Sequence, residues 1–282
     1  MQTNFSADGD ESRDIWFPSL QVLDLGTCWE AAAGWTDETK DKGRLHFPAL
    51  RALKARCKDG MPHALRRSVF PARMDRVTIL ATAPALLDIS NMALPSARHF
   101  QLSTEGDIAI NPAAVAAVQR ILDRARDGDE VELIHHRDSR LLKRPEILAL
   151  TPLTRLEALV DTSVDTVVEI IRCLPRLSSL DIRLQSAGST PQGISVPEPG
   201  ADRLVEPISS TLKCVRISFY HDDQNPEPAV LTLRYLLLAV PSLTAISAYG
   251  IPGVLMDSFI DAHADQYPHL ARLKINIHAN RR

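Results

Sequence analysis

The amino-acid sequence predicts an α/β fold, a solenoid of about ten irregular strand-helix units, on three observations. A short frame recurs along nearly the whole chain: an apolar residue, Pro, any residue, Leu, two residues, then Leu or Ile. Stretches between copies read as amphipathic helices, and prolines end several of them just before the frame resumes. The composition is that of a chain able to build a core: 282 residues, 45% hydrophobic and 24% charged, with a net charge of -3. That charge argues against a protein that blankets phosphates.

Five copies carry the proline: FPSLQVLDL from Phe17, FPALRALKA from Phe47, LPRLSSLDI from Leu174, VPSLTAISA from Val240 and YPHLARLKI from Tyr267. Looser copies begin at Met74, Ala97, Gly128, Leu153 and Leu212, and the mean spacing is about 28 residues. Counting from the first Leu, positions 1, 4 and 6 are expected to point inward. Positions 3, 5 and 7 are expected to point outward, because side chains alternate along a strand.

The helices follow in order. Asn111 caps a helix with Pro112 at its first position, and Val115, Val118, Leu122 and Ala125 share one face until Asp127 and Gly128 stop it. Ser163 is placed to cap the next, where Val164, Val167, Val168 and Ile171 recur with helical period before Pro175. Further helices are expected over 231–240 and 254–267, closed by Pro241 and Pro268. Residues 1–14 form a polar, acidic tail expected to be disordered, and 15–282 the solenoid. Neither end offers an obvious cap, so the chain is expected to belong to a longer array or to have lost an N-terminal module. Polar insertions from Cys28, Ser186 and His221 read as loops, the middle one mobile. Trp29 and Trp35 in the first are expected to pack over the first repeat rather than to anchor a partner.

These residues resemble the leucine-rich-repeat superfamily, whose LxxLxLxxN/C motif is best matched by Leu20, Leu23, Leu25 and Cys28. The long, uneven units look most like its ribonuclease-inhibitor-like group. The FPxLxxLxL phrasing is similar to the repeat region of fungal F-box/leucine-rich-repeat proteins. The resemblance implies strands lining a concave face and helices outside. It further implies a substrate receptor whose F-box module, missing from this chain, would dock on a ubiquitin-ligase adaptor while the repeats hold the substrate. Nine of the ten units lack Asn or Cys at the ninth position, which leaves the family's internal ladder unsupported. RPEILAL from Arg144 is similar to an F-box phrase but sits mid-chain, and is read as a repeat helix.

The outward positions give a candidate partner-binding face: Asp24, Lys54, Arg56, Arg76, His99 and Gln101, then Glu130, Glu132, Arg155, Glu157 and Asp181, then Arg183, Arg216, Ser218, Tyr249, Arg272 and Lys274. The order is broadly basic, acidic, basic. Such a face selects an extended protein partner by charge complementarity.

Other chemistries find less support. GxxxxGK[ST] and GxGxxG are absent, and GISVP from Gly193 lacks the second Gly of a nucleophile elbow around Ser195. His135, His136 and Asp138, and likewise His221, Asp222 and Asp223, alternate faces if extended and do not converge on a metal. Asp261, His263 and Asp265 read as a solvated helix face. Four cysteines, at 28, 57, 173 and 214, form no disulfide framework, which points to a reducing compartment, cytoplasmic or nuclear; they are expected to be buried or half-buried thiols. The basic clusters lack the interleaved aromatics of a nucleic-acid platform. The expected function is therefore a non-enzymatic protein-protein scaffold without cofactor, metal or membrane span. The alternative from another class is an α/β hydrolase-like enzyme using Ser195 and a histidine.

Overall fold

Leu, Ile and Val alternating with charged residues favour half-buried strands, and the frame positions become strands throughout the structure. The computed structural model describes residues 14–25, 43–58, 63–105, 111–135, 151–160, 164–184, 195–201, 204–219, 227–251 and 253–278. Thirteen strands are present among them: β1 Ile15–Trp16, β2 Val22–Leu25, β3 Leu45–His46, β4 Ala52–Cys57, β5 Ser68–Val69, β6 Arg73–Thr82, β7 Ser96–Glu105, β8 Glu130–His135, β9 Arg155–Val160, β10 Ser179–Leu184, β11 Cys214–Phe219, β12 Ala245–Tyr249 and β13 Lys274–His278. Ten of these make one parallel sheet in strict chain order, β2-β4-β6-β7-β8-β9-β10-β11-β12-β13. The short strands β1, β3 and β5 form a second parallel sheet.

Parallel neighbours need crossovers, and helices occupy several of them. They are the single turn α1 His63–Arg66 and five longer helices, α2 Ala83–Ser90, α3 Pro112–Arg124, α4 Val164–Cys173, α5 Glu227–Ala239 and α6 Val254–His263. The fold is thus α/β with parallel sheets. Asn111 caps α3 as expected, its side-chain oxygen accepting from the backbone N–H of Ala113 at 3.0 Å and Ala114 at 3.3 Å. α2, with Pro84 in its first turn, is absent from the sequence-based expectation because its apolar run is only two turns long. α6 stops at His263, four residues before the expected end, and a 3-10 helix over Pro268–Arg272 leads into β13.

Inward strand residues and helix residues belong to one continuous core. Positions 4 and 6 are buried from β4 to β8, as in Leu53, Val77, Ile79, Phe100 and Leu133, and again from β10 to β12. Leu23 and Leu25 at one end, and Ile275 and Ile277 at the other, are only half-buried. Register holds position for position between most neighbours but slips by two residues at two junctions: Glu132 pairs with Arg155, and Ala245 with Lys274. A slip of two preserves which face each side chain takes, whereas a slip of one would invert it.

Gly128 explains why one frame copy lacks its first Leu. A Cβ there would sit 2.8 Å from the carbonyl oxygen of Ala97, so only glycine admits this approach. Directly after the short strands β1, β3 and β5, Phe17, Phe47 and Phe70 stack with centroids 5.1 and 6.0 Å apart. Phe70-Pro71 is thus the ring of the third unit, hidden in the sequence by one extra residue before Met74.

Hydroxyls in the turns before β10, β11 and β12 tie each of these strands to the backbone of the preceding one's turn. Ser178 donates to the Thr154 carbonyl at 3.0 Å, Thr211 to Pro175 at 2.9 Å and Leu177 at 3.0 Å, and Ser242 to Leu212 at 2.8 Å.

The insertion expected to be mobile is pinned where it is described. Gly200 N–H donates to Gln266 Oε1 at 3.2 Å, Gln266 Nε2 donates to the Ala201 carbonyl at 3.1 Å, and Val205 N–H donates to the Tyr267 hydroxyl at 3.0 Å. His263 turns away from Asp261 and Asp265 into the interior, only 2% exposed, with Nδ1 2.9 Å from the Phe259 carbonyl and Nε2 3.3 Å from that of Pro197. Asp14, placed in the tail by the sequence, accepts from the Arg44 backbone N–H at 2.7 Å and lies 2.8 Å from His46. Trp29, Trp35, RPEILAL, His136, Asp138 and the insertion from His221 lie outside the described residues.

Candidate functional site

The outward side of the ten-stranded sheet is built by the same alternation that buries its inward side. The two-residue slips keep its rows intact: Asp24, Lys54, Thr78, Gln101, Glu132, Arg155, Ser179, Cys214, Ala245 and Lys274 stand opposite one another across successive strands. Many of the charges on this face hold one another. Lys54 donates to Asp24 at 3.1 Å, Arg155 to Glu132 at 3.4 Å and Arg216 to Asp181 at 3.1 Å. Arg56 reaches past β6 to Glu105 on β7 at 3.0 Å. His99 Nδ1 lies 2.9 Å from Glu130, and Gln101 donates to Glu132 at 3.2 Å.

These contacts order the side chains more than they stabilise the fold, since exposed pairs are worth about 0–1 kcal/mol each. Glu157 pairs in register with Asp181, a like-charge neighbour, and the structure gives neither Glu157, Arg76, Arg183 nor Lys274 an ion pair among the described residues. Tyr249 is exposed near the far end of the face.

A shallow depression of about 150 Å³ opens on this face over β6, β7 and β8, lined by Arg76, Thr78, His99, Gln101, Glu130 and Glu132 with Phe100 at its floor. Arg272 does not join the strand face: the slip at β13 leaves it in the preceding 3-10 helix, and Asn276 takes the outward position. Thr78, Ser103, Ser247 and Cys214 belong to the face as well. The outward spacing marks them, but a search for charge passes over them.

Two of the three described cysteines differ from expectation. Cys173 and Cys214 are exposed, the first at a helix end and the second at an outward strand position. Cys57 is buried, and that burial, with the Asp88 carboxylate adding to it, pushes its thiol from 9.0 up to about 11. The Arg44 backbone N–H, and after it His46, hold the Asp14 carboxyl below its ordinary value. Ser195 is exposed on irregular backbone rather than on the strand-to-helix turn a nucleophile elbow requires. Among the described residues no group of His, Cys, Asp and Glu is arranged to hold a metal ion, and no helix is long and apolar enough to cross a membrane.

Comparison with family models, curated proteins and solved structures returns no match for this chain.

Proposed function

We propose that the chain is a leucine-rich-repeat-type solenoid, a non-enzymatic scaffold that binds a protein partner across the outward face of its ten-stranded sheet. The observation that carries this reading is the face itself: strands in unbroken chain order present rows of polar side chains already oriented by their neighbours. A face ordered before binding loses less side-chain entropy when a partner arrives. The substrate-holding part of a ubiquitin-ligase receptor is one form such a scaffold takes, and a ligase adaptor co-purifying with the chain would support that form.

The test is affinity purification with mass spectrometry on the native chain and three folded variants. Ser218→Arg and Ser247→Arg add bulk and charge to the face without removing an ion pair, and Ala116→Arg adds the same to the exposed side of α3. A partner lost from both face variants and retained by Ala116→Arg is the expected result. A partner retained by all three variants contradicts the proposal.

A further inference from the structure

The depression over β6, β7 and β8 carries a more specific statement about the partner, resting on the interaction reading above. Arg76, His99 and Glu130 lie in one register row, Arg76 opposite His99 and His99 opposite Glu130. Two inter-strand steps separate Arg76 from Glu130, about 10 Å at the usual strand spacing. Arg76 is exposed, and no described acidic group pairs with it. The Glu130 side chain is 59% exposed and meets His99 through Oε2, so its other oxygen is open to a donor. Glu132, the second acid of the depression, is only 19% exposed and already accepts from Gln101 and Arg155. The depression therefore offers a cation at one wall and an anion at the other, with His99 between them and the uncharged Thr78 and Gln101 in the row alongside.

We infer that this depression receives a protein segment that crosses the strands and carries an acidic and a basic side chain about 10 Å apart, the acid over Arg76 and the base over Glu130. A polyproline-II segment meets that spacing with acid and base three residues apart, because its three-residue turn brings both side chains to one face at about 3.1 Å rise per residue. A wholly acidic segment is repelled by Glu130, and a wholly basic one by Arg76, so the site discriminates by repulsion as well as attraction.

The test uses four fluorescein-labelled ten-residue peptides that differ at two positions three apart: Glu and Lys, Glu and Glu, Lys and Lys, or Ser and Ser. Their binding to the full chain is followed by fluorescence anisotropy at low salt. The expected result is that the Glu/Lys peptide binds at least five-fold more tightly than any other. Arg76→Gln and Glu130→Gln, each with an unchanged melting curve, should abolish that preference, whereas Arg120→Gln on α3 should keep it. Equal binding of all four peptides, tighter binding of a like-charged one, or a preference that survives Arg76→Gln and Glu130→Gln overturns the inference. Partner capture separates this outcome from failure of the broader reading. A partner lost from Ser218→Arg and Ser247→Arg but held normally by Arg76→Gln and Glu130→Gln leaves the face as a binding surface and removes the dipolar site.

Discussion

The outward face differs between its two halves, although the inward rows behind them are alike. From β4 to β9 the face is dense in charge, and its side chains are tied across strands: Arg56 to Glu105, His99 to Glu130, and Gln101 with Arg155 to Glu132. From β10 to β13 the one ion pair among the described residues is Arg216 with Asp181, and the uncharged Ser218, Ser247, Tyr249 and Asn276 stand beside Arg183 and Lys274. Behind both halves the inward residues are buried apolar side chains, Val77, Ile79 and Phe100 in one and Leu180, Ile182 and Val215 in the other. The core is therefore one repeated solution, while the face is free to vary.

The largest effects should test the sameness of the two cores. Ile79→Ala and Ile217→Ala both empty a fully buried site, and each should cost about 2–5 kcal/mol in denaturant unfolding, as large-to-small core changes do. If one half tolerates its substitution with almost no loss, the cores are not equivalent. Gly128→Ala comes next: its Cβ meets backbone carbonyls rather than a movable side chain, and overpacking of this kind costs about 1–3 kcal/mol. A melting temperature unchanged from the native chain would mean that the β7–β8 junction relaxes freely.

How much of this was legible in the sequence depends on whether a signal was apolar and periodic. Leu53, Phe100, Leu180 and Ile246 stood out as inward positions because alternation and burial coincide there. Asn111 with Pro112 marked a helix start because capping chemistry is local. Phe70 and Gly128 were obscured for opposite reasons: an extra residue displaced one from the frame, and a close backbone approach removed the expected Leu from the other. The slips at β8–β9 and β12–β13 are tertiary events with no local signal, and the second moved Arg272 off the face. Charged residues named most of the face, but which charges pair, and across how many strands, depends on register. The pinning of residues 195–201 depends on Gln266 and His263, more than sixty residues away.

Smaller effects should separate the two halves of the face. Thr211→Val removes donation to two carbonyls at the junction of β10 and β11 and should cost about 1 kcal/mol. Glu132→Gln should lose under about 1 kcal/mol, and the loss should shrink as salt rises, whereas Ser247→Ala in the later half should show no salt dependence. Identical salt responses would erase the contrast between paired and unpaired halves.

Cys57 adds a pH dependence to the early half. Its thiol titrates near 11 when folded against 9.0 as its ordinary value, so the unfolded chain ionises first. The contribution is fully present below pH 9 and is lost as pH rises from 9 towards 11. Cys57→Ala should flatten that part of the stability profile. In the native chain, alkylation at pH 8 should modify Cys173 and Cys214 while sparing Cys57.

The most direct test of the binding face is hydroxyl-radical footprinting of the chain with and without a captured partner. Protection should fall on outward strand residues such as His99, Cys214 and Tyr249, with Cys173 at the end of α4 and the exposed Leu204 unchanged. Protection centred on Cys173 or Leu204, with the strand residues as reactive as in the free chain, would contradict the account.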